Sequence, residues 1–112
     1  MPQTPARQLG ELGAALLDSG VSVTDVATSL DRAAARNGVA RLDFAVLPEL
    51  IMITEPYSGS TTVVQSPKQE LTFRQAASVN RLAGWVEAGK VTLAEVEPRV
   101  ARIRAVKSLE VV

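Results

Sequence analysis

An α+β fold in the order α-α-β-β-β-α-α is what this sequence predicts, and three observations carry it. Apolar residues recur at helical spacing before residue 40 and again after residue 72. Between them lie three short runs rich in β-branched residues, separated by turn chemistry. The two kinds of element are segregated along the chain rather than alternating. That pattern places a helical hairpin, a three-stranded antiparallel sheet and a second helical hairpin in one domain, with the helices on one face of the sheet. The expected organisation is a flexible N-terminus over residues 1–8, a single domain over 9–107 and a frayed tail over 108–112.

Leu9, Leu12, Leu16 and Leu17 mark one face of a first helix, and Gly20 is its stop. Ser22, three residues before Asp25, is a capping pattern for the second helix. Its stripe is Val23, Val26, Leu30, Ala33 and Ala34, and Asn37-Gly38 ends it. At Arg41 the period changes to two, with Leu42, Phe44 and Val46 on one side. Leu50 to Thr54 is a continuous apolar run, expected to be a strand buried on both faces. Thr61 to Gln65 is the third strand, after the turn residues Glu55 to Ser60. Thr72 and Gln75 open a third helix with the stripe Phe73, Ala76, Val79, Ala83 and Val86. Thr92 and Glu95 open a fourth, in which Pro98 is expected to kink or delay the helix.

Composition removes whole classes of chemistry. The 112 residues include no cysteine and no histidine. Disulfides, Cys/His zinc sites and Ser-His-Asp triads are therefore excluded. No nucleotide-binding glycine loop is present, and no metal or cofactor is expected. Aromatics are only 4%, so small aliphatic side chains must fill the core by close helix packing. The 12 basic and 12 acidic residues balance, which argues against a nucleic-acid partner. Their distribution is uneven: residues 71–112 hold seven basic and four acidic groups. With no run of the roughly 18–20 apolar residues a membrane span needs, and no signal-peptide pattern, the sequence reads as a soluble intracellular polypeptide. A domain this small buries a modest fraction of its surface, so a homo-oligomer or a docked partner is expected.

Candidate site residues are few. Glu49 and Glu55 bracket a strand of about five residues, roughly 20 Å apart at a rise of about 3.3 Å, and so are poor partners for each other. Ser58-Gly59-Ser60 offers amides to a phosphate or forms a plain turn, and the plain turn is the commoner use. Asn80 borders the stripe of the third helix, where a polar group bonds a strand end or loop carbonyl, or else a ligand. Arg74 and Arg81, seven apart, share a helix face, which is solvated or binds an anion. Arg99, Arg102, Arg104 and Lys107 are a positive run that suits the C-terminal helix dipole.

Taken together, several segments resemble the N-terminal domain of the threonine/serine exporter family. Leu16-Leu17-Asp18-Ser19-Gly20-Val21, followed by Val26 and Leu30, is similar to that domain's "LLxSG" opening. Phe44 to Ile51 resembles its strand–"TPTGI"–strand. Val79-Asn80-Arg81-Leu82 with Val86-Glu87-Ala88-Gly89 matches its "VNRL…V..G" helix and stop, and Leu93 to Ile103 resembles the helix that follows. The resemblance spans about residues 9–104. It departs at Asp25-Val26-Ala27, where the family commonly has Arg-Val-Glu. It departs again at Leu47, Glu49 and Leu50, which stand in place of the Thr and Gly of "TPTGI". Pro48, Asn80 and Arg81 carry across.

The resemblance implies a cytoplasmic domain at the inner face of the plasma membrane. A transmembrane part, on the same or a separate chain, would export small amino acids or organic acids with the proton gradient. Residues 108–112 would begin the link to that part, and Arg99, Arg102, Arg104 and Lys107 would be juxtamembrane. The expected role is regulation or assembly of the exporter. The alternatives are a free-standing small-molecule-binding or homo-oligomeric interaction domain, and a hydrolase of the kind suggested for the family. A hydrolase needs a nucleophile, a base and an oxyanion site together, and the sequence shows no such cluster. For a small amino acid or organic acid ligand, Glu49, Arg74, Asn80 and Arg81 are the candidate contacts.

Overall fold

A computed structural model of the chain describes residues 4–39 and 41–106. Helix α1 spans Pro5–Asp18 and α2 spans Val23–Arg36. Strands β1 (Asp43–Val46), β2 (Leu50–Thr54) and β3 (Thr61–Gln65) follow. Helix α3 runs Phe73–Glu87, and a 3-10 turn over Leu93–Glu95 leads into α4, Val96–Ala105. The architecture is the expected α+β arrangement, with an antiparallel sheet ordered β1-β2-β3.

Helix α1 starts earlier than the leucine stripe suggests. Pro5 sits in its first turn, where a missing N–H costs nothing, and Thr4 Oγ1 accepts from the Arg7 amide at 3.2 Å. Residues 5–8, expected to be flexible, are therefore helical. At the other end Gly20 adopts φ +89°, and the Val21 N–H returns to the Leu16 carbonyl at 3.1 Å. That reversal turns α2 back against α1.

The sheet is covered on one side. In register, Phe44 faces Ile53, Val46 faces Ile51, and Ile51 faces Val64. Ile51, Ile53 and Val64 are buried on the helix side. Met52 lies between Ala45 and Val63 on the other side, and Met52, Val63 and nearby Leu47 are exposed. The expectation of a β2 strand buried on both faces is thus corrected. Alternation at period two sends Met52 outward, where no described element covers it.

Helix α1 lies directly on this sheet and is the hub of the domain. It packs against β2, β3 and all three other helices. A side chain on Gly10 would place its Cβ 2.4 Å from Val64 Cγ2, and one on Gly13 would come within 2.6 Å of Ile51 Cδ1. These two glycines let the helix backbone settle onto the strands. Leu9, Leu12, Ala14, Ala15 and Leu16 are buried around the same helix, so small side chains do fill the core. Helices α3 and α4 also pack on α1.

The third helix has the expected reciprocal cap: Gln75 N donates to Thr72 Oγ1, and Thr72 N donates to Gln75 Oε1. The same cap turns Gln75 inward. Phe73, two residues back and about 200° round the helix, points out and is 92% exposed. Its place in the stripe is taken by Gln75 and Leu82, both buried. The Gln75 amide donates to the carbonyls of Ile103 (3.0 Å) and Val106 (2.9 Å), holding the end of α4.

Helix α4 begins after the 3-10 turn, so Pro98 falls within its first turn, among amides that have no intrahelical acceptor in any case. The proline delays the helix without breaking it. At that start the Glu95 carboxylate accepts from the Thr92 amide at 3.3 Å and pairs with Arg99 at 3.2 Å. The Thr92 amide first, and then Arg99, hold the Glu95 carboxyl below its ordinary range. Its contribution to α4 is expected to be complete above the unfolded carboxyl value and to vanish as pH falls through the lowered folded value. An NMR pH titration of the Glu95 side chain checks the direction, and Glu95→Gln should abolish that part of the pH dependence.

One buried ion pair ties the two ends of the domain. Arg104 Nη1 lies 2.8 Å from Asp18 Oδ2, with side chains 15% and 7% exposed. Ser66 Oγ donates to Asp18 Oδ1, and the Lys68 amide donates to Ser66 Oγ at 2.9 Å. Gln69 donates to the Arg104 carbonyl at 3.0 Å and accepts from its guanidinium at 3.4 Å. Arg104 Nη2 is buried without a hydrogen-bond partner.

Candidate functional site

Two helices present polar faces to one another across a trough. On α2 the residues are Asp25, Thr28, Ser29 and Arg32, and on α3 they are Asn80, Ala83, Gly84 and Glu87. Both sets follow the spacing i, i+3, i+4, i+7, which is one face of a helix. Because Ala83 and Gly84 are small, the α3 wall is low at its centre. The trough has a volume of about 650 Å³, within the range of small-molecule sites. A second opening of about 580 Å³ shares Arg32, Gly84 and Glu87 and continues it toward Ala35, Arg36 and Ala88.

Glu87 organises the polar groups. Its Oε2 accepts from Ser29 Oγ at 2.7 Å, and its Oε1 lies 3.8 Å from Arg32 Nη1. The Glu87 side chain is 23% exposed, whereas that of Arg32 is 69% exposed. The carboxylate is therefore fixed and the guanidinium is free to move. Across the trough, Asn80 donates Nδ2 to the Ala76 carbonyl of its own helix at 2.9 Å. It does not reach a strand end or a loop, as its sequence position suggested.

Of the four ligand candidates read from the sequence, only Asn80 lines this trough. Glu49 sits in the β1–β2 turn, where Lys68 approaches its carboxylate at 3.4 Å in an exposed pair. Arg74 and Arg81 are exposed on α3. The Ser58-Gly59-Ser60 turn uses its amides internally: Gly59 N donates to the Glu55 carbonyl and Ser60 N to Ser58 Oγ. In the basic run, Arg99 pairs with Glu95, Arg102 is exposed, and Arg104 is turned inward to Asp18. Lys107 and the tail 108–112 lie outside the described residues.

A family model for threonine/serine exporters (ThrE) matches residues 7–110. The chain belongs to the threonine/serine exporter family. No curated protein and no solved structure matches it. The match runs from the first turn of α1 through α4, so the trough and the Asp18–Arg104 pair both fall within the exporter-family region. Among the described residues no helix is long and apolar enough to cross a membrane.

Sequence reasoning missed Arg32 and Glu87. The signal was there as a polar i, i+3, i+4, i+7 face on α2, but its partner face on α3 is set by tertiary packing. Ala83 falls in the core stripe by spacing and is buried there, and Gly84 and Glu87 carry no motif of their own.

Proposed function

We propose that this domain is a regulatory or assembly part of a threonine/serine exporter. It works on the cytoplasmic side, at the inner face of the membrane, beside a transmembrane part on the same or a separate chain. The exporter moves small amino acids or organic acids. The observation that carries the reading is the exporter-family match across a domain whose described helices do not span a bilayer. The exposed Arg102, near the end of α4, supports a position close to anionic lipid headgroups. The bare outer face of the sheet, with Ala45, Met52 and Val63 in one row, supports self-association or docking. The test is the efflux of threonine and serine from preloaded cells that contain or lack this chain. The rate, or its dependence on the internal amino-acid level, is expected to change when the chain is removed. An efflux profile indifferent to the chain would overturn the reading.

A further inference from the structure

The glycines of this domain fall into two kinds. Gly10 and Gly13 are required by packing, since a Cβ at either would collide with the sheet. Gly84 is different. It lies in the interior of α3, carries no positive φ, and a Cβ there would meet nothing within 4 Å. Glycine inside a helix is unfavourable relative to alanine, and at this position neither packing nor backbone conformation calls for it. What the absent side chain does is keep the floor of the trough open between Ser29, Arg32, Asn80 and Glu87.

The groups around that floor select the ligand. At the Gly84 end one carboxylate, Glu87, faces one guanidinium, Arg32, so the site offers adjacent opposite charges. Glu87 is fixed by Ser29, and the exposed Arg32 approaches it only to 3.8 Å. An exposed pair at that distance contributes little stability, so a bound molecule can part it cheaply. Asp25 and Arg32 are seven residues apart, about 10.5 Å along the helix, too far for one small molecule to use both fully. A molecule with adjacent opposite charges therefore sits at the Arg32–Glu87 end.

We infer that the α2–α3 trough binds a small zwitterionic amino acid over Gly84. Arg32 holds the carboxylate, Glu87 holds the ammonium, and Asn80 Oδ1 accepts from a side-chain hydroxyl. The inference deepens the exporter reading by naming a ligand class and a site.

The purified chain is titrated with L-threonine and L-serine by calorimetry and by amide NMR. The matching hydroxy acid, lacking the amine, and the matching amino alcohol, lacking the carboxylate, serve as single-charge probes. Saturable binding is expected for the amino acids, with shifts in α2 and α3, and none for the probes. Arg32→Gln and Glu87→Gln are each expected to weaken binding at least about tenfold. Gly84→Ala separates ligand from fold: it should raise Tm by about 4 °C and yet weaken binding. Binding unchanged in Gly84→Ala, tight binding of either probe, or no saturable binding of the amino acids would each overturn the inference. Efflux that responds to the chain without any binding in the trough sinks this inference and spares the exporter reading. Binding with indifferent efflux does the reverse.

Discussion

Asp18→Ala is expected to destabilise the domain by about 3–5 kcal/mol, the range for removing one partner of a buried ion pair. The Asp18 carboxylate is 93% withdrawn from solvent, being 7% exposed, and Arg104 lies against it at 2.8 Å. Without it, the guanidinium keeps only the long bond to Gln69, with Nη2 already unpartnered. Ser66 loses its acceptor in the same step. Gln69 and Gln75 also hold the backbone on either side of Arg104 through the Ile103, Arg104 and Val106 carbonyls. Urea unfolding measures the loss. A double variant, Asp18→Leu with Arg104→Met, should recover most of it, since an apolar pair of similar volume needs no compensation. A single variant within 1 kcal/mol of the parent, on the order of a surface change, would mean the pair is not buried in solution.

Gly10→Val is expected to cost about 3 kcal/mol or more. The first added atom already collides, 2.4 Å from Val64 Cγ2 and 3.0 Å from both Val64 Cβ and Ile53 Cδ1. Val64 is β-branched and cannot rotate away without strain. Two further methyl groups then have to find room between α1 and the sheet, so the helix must lift off β2 and β3. Thermal unfolding and near-ultraviolet dichroism of the variant report the effect. Gly84→Ala on the far helix is the control with the opposite sign, expected to stabilise by about 1 kcal/mol. Side chains added at two glycines in two helices thus separate a packing glycine from one with open space above it.

The element order was legible because each helix carries its own start and stop. Thr72 with Gln75 and Thr92 with Glu95 are local signals, and local chemistry delivers them. The three strands were legible from period and β-branching. What one element does to another was harder to read. Met52 lies in an apolar run that looks buried on both faces, but only the layer count decides this, and the helices lie on one side only. Phe73 fits the α3 stripe by spacing, yet the cap rotates Gln75 into its place. Arg104 belongs by sequence to a solvated positive face. Only the all-round burial of α1 reveals that Asp18, one turn beyond Ala14, needs a cation to meet it. The trough combines residues from helices separated in sequence by the whole sheet, and Asn80 is its one member that the sequence offers as a ligand contact.

The position of α1 sets the order of events when the chain is made. Helix α1 is made before the rest of this domain, has surfaces on both sheet and helices, and is completed only by α4. Asp18 meets Ser66 48 residues later, and meets Arg104 only when α4 is out. Until then the leucines of α1 have no finished layer to cover them, and its terminal carboxylate has no counter-charge. Long-range closure of this kind slows folding and discourages partial structures. The domain is thus expected to fold as one unit. A fragment ending before α4 is expected to leave α1 incompletely covered and so open to chaperones and proteases.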